Sequence, residues 1–133
     1  MSKEKVLKRL TVTDILKDKE KYTVDKQQTE EVAITRLGVD ILVRKPEKSL
    51  CIETLQMTRD ADTADTADAY MVYNTVVEPD LKDATLQAEF GVRDPLEIVD
   101  KIFDPGEVAQ LSELAMELAG FKKGIVSVKT AKN

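Results

Sequence analysis

The stretch Asp104–Gly120, with the sequence DPGEVAQLSELAMELAG, is the best-specified element of the chain and gives it a helical character. It begins with features that are typical of a helix start. Asp104 supplies an N-cap carboxylate, Pro105 has no N–H to leave unsatisfied in the first turn, and Glu107 completes a capping box. These residues predict that a helix begins at Pro105.

The same stretch carries an apolar face and a defined end. Apolar side chains recur at the spacing of one helical face, at Val108, Leu111, Ala115 and Leu118. Gly120 lies where a left-handed residue ends a helix, and Phe121 can fold back onto Met116 as the accompanying apolar contact. We therefore predict a helix over residues 105–119.

Two shorter helices are predicted immediately upstream by similar signals. Asp94–Glu97 repeats the order aspartate, proline, glutamate and predicts a helix over residues 95–103. Before it, Asp80 follows a proline and can cap a helix over residues 81–89, which Gly91 would close. Their short connections indicate that successive helices pack as neighbours.

Residues 61–78 combine a low-complexity repeat with an apolar stripe. The repeat ADTADTADA at 61–69 has three interpretations: the first turns of a helix, a flexible acidic connector, or a calcium loop. The calcium interpretation is the weakest, because the segment lacks the turn glycine and the distal glutamate of an EF-hand. The stripe consists of Ala69, Val72, Tyr73 and Val76 and predicts a helix over residues 66–78 that ends before Pro79.

The first half of the chain carries the strand signals. β-Branched and apolar residues on either side of Gly38 predict two strands, at 31–37 and 40–45, that pair as a hairpin. Pro46 has no N–H and ends the second strand. Residues 47–58 are expected to be helical, with one side formed by Leu50, Cys51, Thr54 and Leu55.

Together these elements predict an α+β fold, predominantly α-helical, in which a short N-terminal β-hairpin packs against a bundle of about five helices. We divide the chain into a charged segment over 1–30, a single globular domain over 31–121 and a basic tail over 122–133. The core is expected to include Val72, Tyr73, Val76, Leu81, Ile98, Ile102, Leu111 and Leu118.

The two ends carry weaker signals. Thr11 and Asp14 predict the start of a short helix over residues 12–21, with Ile15 and Leu16 facing inward. In the tail, residues 124–128 form either a late strand or a loose segment, and residues beyond about 129 are expected to be mobile.

Composition excludes several classes of function. The chain has 133 residues, no histidine, no tryptophan and one cysteine. Without histidine there is no Ser-His-Asp or Cys-His catalysis and no histidine-ligated metal. The lone Cys51 cannot close an internal disulfide and is expected to be a small buried residue. We therefore expect a protein that is not an enzyme and has no cofactor or metal.

The net charge of −5 conceals a division along the chain. Residues 1–26 carry eight basic and five acidic side chains, residues 27–120 carry eight and twenty, and residues 121–133 carry four and none. An acidic central region repels phosphate, so nucleic acid is not expected as a partner. No signal peptide or membrane-spanning run is recognised, which points to the cytoplasm or the interior of a virus particle rather than to secretion, and to no membrane partner.

Three segments taken together resemble one protein family. They are Glu31–Pro46 (EVAITRLGVDILVRKP), Ala69–Asp83 (AYMVYNTVVEPDLKD) and Ile102–Phe121 (IFDPGEVAQLSELAMELAGF). In order and spacing they are similar to the XkdN-like phage tail assembly chaperones, which tailed phages and the defective prophage PBSX encode. The acidic repeat over 62–68 has no counterpart in this pattern, which indicates a variable insertion.

The resemblance implies a function that composition alone does not give. A member of this family is expected to be a non-enzymatic assembly factor that binds the tape-measure protein and assists tail-tube assembly in the cytoplasm of the bacterial host. A homo-oligomer and a longer product made by ribosomal frameshifting are left open. Two other hypotheses are a stable neck or tail component of a phage particle and an acidic regulatory adaptor.

The apolar face of the last predicted helix provides the candidate partner-binding residues, which are Val108, Leu111, Leu118 and Phe121. Such a face can take part in helix-in-groove recognition of a partner segment. The alternative, burial of the same face in the core of the protein, is favoured, because apolar stripes of this kind are usually buried.

Overall fold

The computed structural model describes residues 8–129, of which 49% are helical, together with a three-stranded antiparallel sheet. The elements, in chain order, are α1 (Val12–Lys17), α2 (Lys19–Tyr22), β1 (Thr29–Ile34), β2 (Val39–Arg44), α3 (Lys48–Arg59), a 3-10 turn (Ala64–Thr66), α4 (Ala67–Thr75), β3 (Val76–Glu78), α5 (Ala84–Glu89), α6 (Glu97–Ile102) and α7 (Pro105–Leu118). The α+β class is confirmed. The hairpin gains a third strand, and about half of the described chain, rather than most of it, is helical.

The predicted hairpin is present, with strands that begin and end close to the expected residues. β1 and β2 pair antiparallel from Thr29 opposite Arg44 to Ile34 opposite Val39. Gly38 turns the chain with a φ of 65°, a conformation that disfavours residues with a Cβ, and its N–H donates to the carbonyl of Ile34 at 2.9 Å. Strand β2 is therefore held on one side by its sequence neighbour.

The other side of β2 is occupied by β3, where the sequence pattern predicts the last turn of a helix. Val76 lies opposite Val43, and Glu78 lies opposite Leu42. The helical prediction over 66–78 is wrong at this end, because α4 stops at Thr75. Glu78 precedes a proline and is pushed towards extended geometry, and the unpaired backbone edge of β2 offers it hydrogen-bond partners.

Two predicted helices start later than expected. Asp80 accepts a hydrogen bond from the N–H two residues ahead and forms a turn, whereas Asp83 caps α5 by accepting from the N–H of Leu86 at 2.9 Å. Asp94 likewise accepts from the N–H of Leu96 at 3.1 Å, so α6 begins three residues after it. In both places an aspartate turn competes with the helix cap for the same backbone donors.

Helix α7 has the predicted start and stop. The Glu107 carboxylate accepts a hydrogen bond from the N–H of Asp104 at 2.8 Å. At the other end Gly120 has a φ of 95°, and the N–H of Phe121 donates to the carbonyl of Met116 at 3.0 Å. This is the Schellman arrangement that ends a helix at a left-handed glycine. The helix predicted over 105–119 is therefore confirmed to within one residue.

The core lies between the sheet, α4, α6 and α7. Of the eight predicted core residues, five are buried: Val72, Val76, Leu81, Ile98 and Leu111. The other three, Tyr73, Ile102 and Leu118, are half-buried against the same cluster. A second, smaller cluster joins α3, α4 and α7 and consists of Leu50, Met71 and Ala115. The apolar face of α7 thus packs on both clusters.

The N-terminal helix differs from its prediction. It is split at Asp18 into α1 and α2, and neither helix buries a side chain. Thr11 caps α1 as predicted, since its hydroxyl accepts from the N–H of Asp14 at 3.2 Å. The expectation that Ile15 and Leu16 face inward is wrong, because Leu16 is 67% exposed and Ile15 is 37% exposed. A helix of six residues offers too little apolar surface to displace the elements already packed on the core.

The acidic repeat and the C-terminal tail are the least regular parts of the described chain. Residues 61–69 form a turn, the 3-10 turn and the start of α4, so the helical interpretation holds for the second half of the repeat. Residues 121–129 form turns and bends, and the alternative of a strand over 124–128 is wrong. Mobility is predicted beyond residue 129, and those residues lie outside the part of the chain that the structure describes. Residues 1–7 of the N-terminal segment also lie outside it.

Candidate binding groove

A groove of about 650 Å³ opens between the start of α3 and the end of α7, and we call it the α3–α7 groove. Three segments that are distant in sequence meet there: the residues before β1, the connection from β2 into α3, and the residues after α7. Its lining consists of Val24, Lys26, Arg44, Lys45, Pro46, Glu47, Lys48, Ser49, Cys51, Ile52, Ala119 and Phe121.

The base of the groove is apolar. Pro46 and Cys51 are buried at its bottom, and Val24, Ile52 and Phe121 are exposed on its sides, at 63%, 44% and 52% respectively. Large apolar side chains that remain this exposed in one concave place are characteristic of a binding surface. The groove can therefore receive apolar side chains from another molecule.

The start of α3 explains why Ile52 reaches the groove. Pro46 follows β2 and cannot extend the strand ladder, and α3 begins two residues later. On α3 the side chains of Leu50 and Thr54 are each 4% exposed and face the core. Since helical residues turn by about 100° each, Ile52 projects away from the core-facing side. Of the four residues predicted on the inward side of this helix, Leu50, Cys51 and Thr54 are buried and Leu55 is half-buried.

The rim of the groove is basic. Lys26, Arg44, Lys45 and Lys48 lie around it with one acid, Glu47, which gives a local charge of +3. Three of the eight basic residues of the acidic region 27–120 are in this rim. The groove is thus basic, although most of its lining belongs to a stretch of sequence that is acidic as a whole.

Two of the four basic residues form hydrogen bonds that hold the lining together. Arg44 donates to the carboxylate of Glu47 at 2.8 Å, and this hydrogen bond lowers the pKa of Glu47 below its usual value. The ammonium of Lys45 donates to the carbonyl of Asp25 at 2.9 Å, which ties the segment before β1 to the end of β2. Within the described residues the side chains of Lys26 and Lys48 make no such bond and remain available to a ligand.

The groove contains a thiol, but not a reactive one. Burial raises the pKa of the Cys51 thiol, and the negative charge of Glu47 raises it further. A thiol with a raised pKa stays protonated at neutral pH, and the protonated form is a poor nucleophile. Cys51 is 3% exposed, which confirms the prediction that it is a small buried residue.

The predicted partner-binding residues do not lie together on an accessible surface. Val108 and Leu111 are 6% and 5% exposed and belong to the core, and Leu118 is half-buried beside it. Phe121 lines the α3–α7 groove. Val108 and Leu111 are therefore buried in the core, as the favoured alternative predicts. Of the four candidate residues, Phe121 is the exposed one.

A second cavity, of about 270 Å³, lies between β1 and α7 and is bridged by ionic hydrogen bonds. Arg36 donates through two nitrogens to Glu107, at 3.0 and 3.1 Å, and also to the carbonyl of Ile102 at 2.8 Å. The guanidinium holds the pKa of Glu107 below its usual value. This bridge connects the hairpin turn to the start of α7, so we assign it a structural role.

Residues 8–129 form neither a metal site nor a membrane span. No three Cys, Asp or Glu side chains in this range are grouped closely enough to hold a metal ion. In the same part of the chain no helix combines the length and the apolar character needed to cross a membrane.

Comparison with known proteins adds a family and a fold. A family model described as phage XkdN-like tail assembly chaperone protein matches residues 12–132. No curated protein sequence matches the chain. Among solved structures, the crystal structure of the protein yqbn, a structural genomics target, is similar with a TM-score of 0.58 and 20% identity, covering 79% of this chain and 95% of that one. At that identity the likeness concerns the fold alone.

Proposed function

We propose, since the chain belongs to the phage XkdN-like tail assembly chaperone family, that it binds the tape-measure protein of its phage or prophage and assists tail-tube assembly. In this proposal it acts without catalysis in the host cytoplasm, where its partners are the tape-measure protein and the tail-tube protein. The absence of histidine from the sequence and the protonated state of Cys51 support a role without covalent chemistry.

The observation that carries the proposal is the exposed apolar lining of the α3–α7 groove. A volume of about 650 Å³ is of the size that takes a few large side chains, and is far too small for a folded domain. It therefore suits a segment of a long partner that presents apolar side chains at intervals, as helix-in-groove recognition requires. Phe121, directly after the end of α7, is the largest exposed apolar side chain of that lining.

The proposal is tested by co-expression with the tape-measure protein of the same phage or prophage. We expect the wild-type chain to raise the soluble fraction of the tape-measure protein and to co-purify with it. Phe121→Ala should reduce both, because it removes apolar contact area from the groove. Phe90→Ala is the matched control: Phe90 is 44% exposed and lies outside the groove lining, so it should behave as the wild type.

Two results would contradict the proposal. One is a tape-measure protein that stays equally insoluble with and without this chain. The other comes from mass spectrometry of purified particles: an assembly chaperone should be absent or minor there, whereas a stoichiometric amount would identify a stable component of the neck or tail. Thermal melting of Phe121→Ala and Phe90→Ala shows whether both variants keep the fold.

A further inference from the structure

The charge of the α3–α7 groove identifies the chemistry of the segment that it binds. An apolar base attracts apolar side chains of any partner, but the rim discriminates among them by charge. Here the rim has a charge of +3 on a chain whose net charge is −5. A segment with carboxylates beside its apolar residues would therefore find opposite charges at the groove and like charges over much of the central region.

The geometry leaves two lysines to make those contacts. Arg44 is neutralised by Glu47, and Lys45 is bonded to the backbone of Asp25. Lys26 and Lys48 are exposed on the segment before β1 and at the start of α3, and among residues 8–129 no hydrogen bond or ion pair engages their side chains. They flank the apolar base and can each receive a carboxylate from a bound segment.

The backbone around the groove favours a helical segment over an added strand. The strand nearest the groove is β2, which lies between β1 and β3 in the sheet and is therefore not an edge strand. The remaining lining belongs to the residues before β1, the connection from β2 into α3, the start of α3 and the residues after α7. Without an open strand edge, recognition depends on side chains entering the groove, which is how amphipathic helices bind.

We propose that the α3–α7 groove binds an acidic amphipathic helix of a partner protein, with large apolar side chains packed against Val24, Ile52 and Phe121 and carboxylates on Lys26 and Lys48. The inference rests on the proposed function only for the identity of the partner as a tail protein. The chain's own acidic repeat over 61–69 does not fit, because it contains no apolar side chain larger than alanine. Its described ends do not fit either, since they are basic.

The test uses the full chain and two synthetic peptides. One is an amphipathic helix with leucines at i, i+3, i+4 and i+7 and glutamates on both flanks, and the other replaces every glutamate by lysine. Fluorescence anisotropy should show that the glutamate peptide binds at least about tenfold more tightly. Its affinity should fall as NaCl rises from about 50 to 500 mM, because added salt screens the rim charges.

Substitutions in the lining test whether the preference for the glutamate peptide arises at the groove. Lys26→Glu/Lys48→Glu should weaken binding of the glutamate peptide about tenfold, and Phe121→Ala should weaken binding of the same peptide. The control Arg93→Glu/Lys101→Glu makes the same change of charge on exposed residues around α6 and should stay within about twofold of the wild type. In amide NMR spectra, the glutamate peptide should perturb Ile52, Ala119 and Phe121.

Several outcomes would overturn the inference: equal binding of the lysine peptide, equal loss in both double variants, no binding of either peptide, or a homodimer that Lys26→Glu/Lys48→Glu dissociates. The last result would assign the groove to a second copy of this chain. If the glutamate peptide binds as expected but co-expression leaves the tape-measure protein insoluble, the inference stands and the proposed partner fails. If this chain keeps the tape-measure protein soluble in co-expression but binds the glutamate and lysine peptides equally, the proposed partner is supported and the preference for an acidic helix is contradicted.

Discussion

Helices α1 and α7 begin with the same local device but differ in what they bury. Each has an N-cap residue followed three positions later by an acid that bonds back to the cap, Thr11 with Asp14 and Asp104 with Glu107. α7 buries four of its fourteen residues, whereas α1 buries none of its six. A capping box thus specifies where a helix begins, while burial depends on whether a complementary surface is available.

The largest expected difference between α7 and α1 is the loss of unfolding free energy when a leucine is truncated to alanine. Leu111→Ala should lower the free energy of unfolding by about 2–5 kcal/mol, because Leu111 is buried in the core between α7, the sheet, α4 and α6. Leu16→Ala makes the same chemical change on α1, where the side chain is 67% exposed, and should cost less than about 0.5 kcal/mol. Urea denaturation of both variants measures the difference.

If Leu111→Ala and Leu16→Ala lowered the free energy of unfolding equally, the proposed difference in burial between α7 and α1 would be wrong. A loss below about 1 kcal/mol for Leu111→Ala would mean that the α7 face is not a packed core surface. A large loss for Leu16→Ala would mean that α1 packs on the body in solution, and would restore the inward orientation predicted from the sequence.

The elements that can be predicted well from sequence are those specified by neighbouring residues. The turn at Gly38, the cap at Thr11 and the end of α7 at Gly120 each depend on a few adjacent positions, so they are identifiable without knowing the rest of the fold. β3 is not identifiable in this way, because Val72 and Val76 have helical spacing. Val76 pairs with Val43, which is distant in the sequence, and the spacing of apolar residues along one segment cannot predict such a pairing.

The groove escapes sequence-based prediction for a related reason. Val24, Pro46 and Ile52 carry no common pattern, and they approach Phe121 because β2 leads into α3 beside the end of α7. Phe121 is identifiable because it follows the helix-ending glycine. The other candidates on α7 belong to an apolar stripe, and a stripe looks the same in sequence whether it is buried or exposed.

A smaller effect, and one that depends on pH, is expected at the start of α7. Arg36 lowers the pKa of Glu107 in the folded protein, so the bridge stabilises the fold fully above the unfolded pKa of glutamate, about 4.3, and loses its effect as pH falls through the lower folded value. Glu107→Gln should therefore melt at a lower temperature than the wild type at pH 7. The difference should shrink towards zero as the solution is acidified below about pH 4.

Glu113→Gln is the matched control for that measurement. Glu113 is exposed on the same helix and, within residues 8–129, has no ion-pair partner. Its melting temperature should follow that of the wild type at every pH. A gap between Glu107→Gln and the wild type that stays constant into acid would show that the Arg36 bridge does not stabilise the fold through the Glu107 charge.

The smallest effect is expected at the cap of α1. Thr11→Ala removes the hydroxyl that accepts from the N–H of Asp14, a change worth about 1 kcal/mol to a helix. Because α1 buries no side chain, the global free energy of unfolding should change by less than about 0.5 kcal/mol. Hydrogen exchange at the amide of Ile15 should nevertheless become faster, since that N–H bonds within the first turn.

Thr13→Ala provides the comparison within α1. Thr13 is exposed and lies inside the helix rather than at its cap, so its replacement should leave exchange at Ile15 unchanged or slightly slower. If the amide of Ile15 exchanges at the same rate in Thr11→Ala and Thr13→Ala, the cap does not stabilise the start of α1. The starts of α1 and α7 would then share a sequence pattern but not its effect on stability.

The end of α7 also makes the molecule suitable for an optical sensor. Gly120 directs the following chain out of the helix, Phe121 lines the groove, and residues 122–129 are exposed. Since the native thiol of Cys51 is buried, Lys123→Cys would present an accessible thiol for a maleimide dye. A dye at that position would be attached two residues after Phe121 without replacing any side chain that lines the groove, so a change in its emission on binding would report occupancy of the groove.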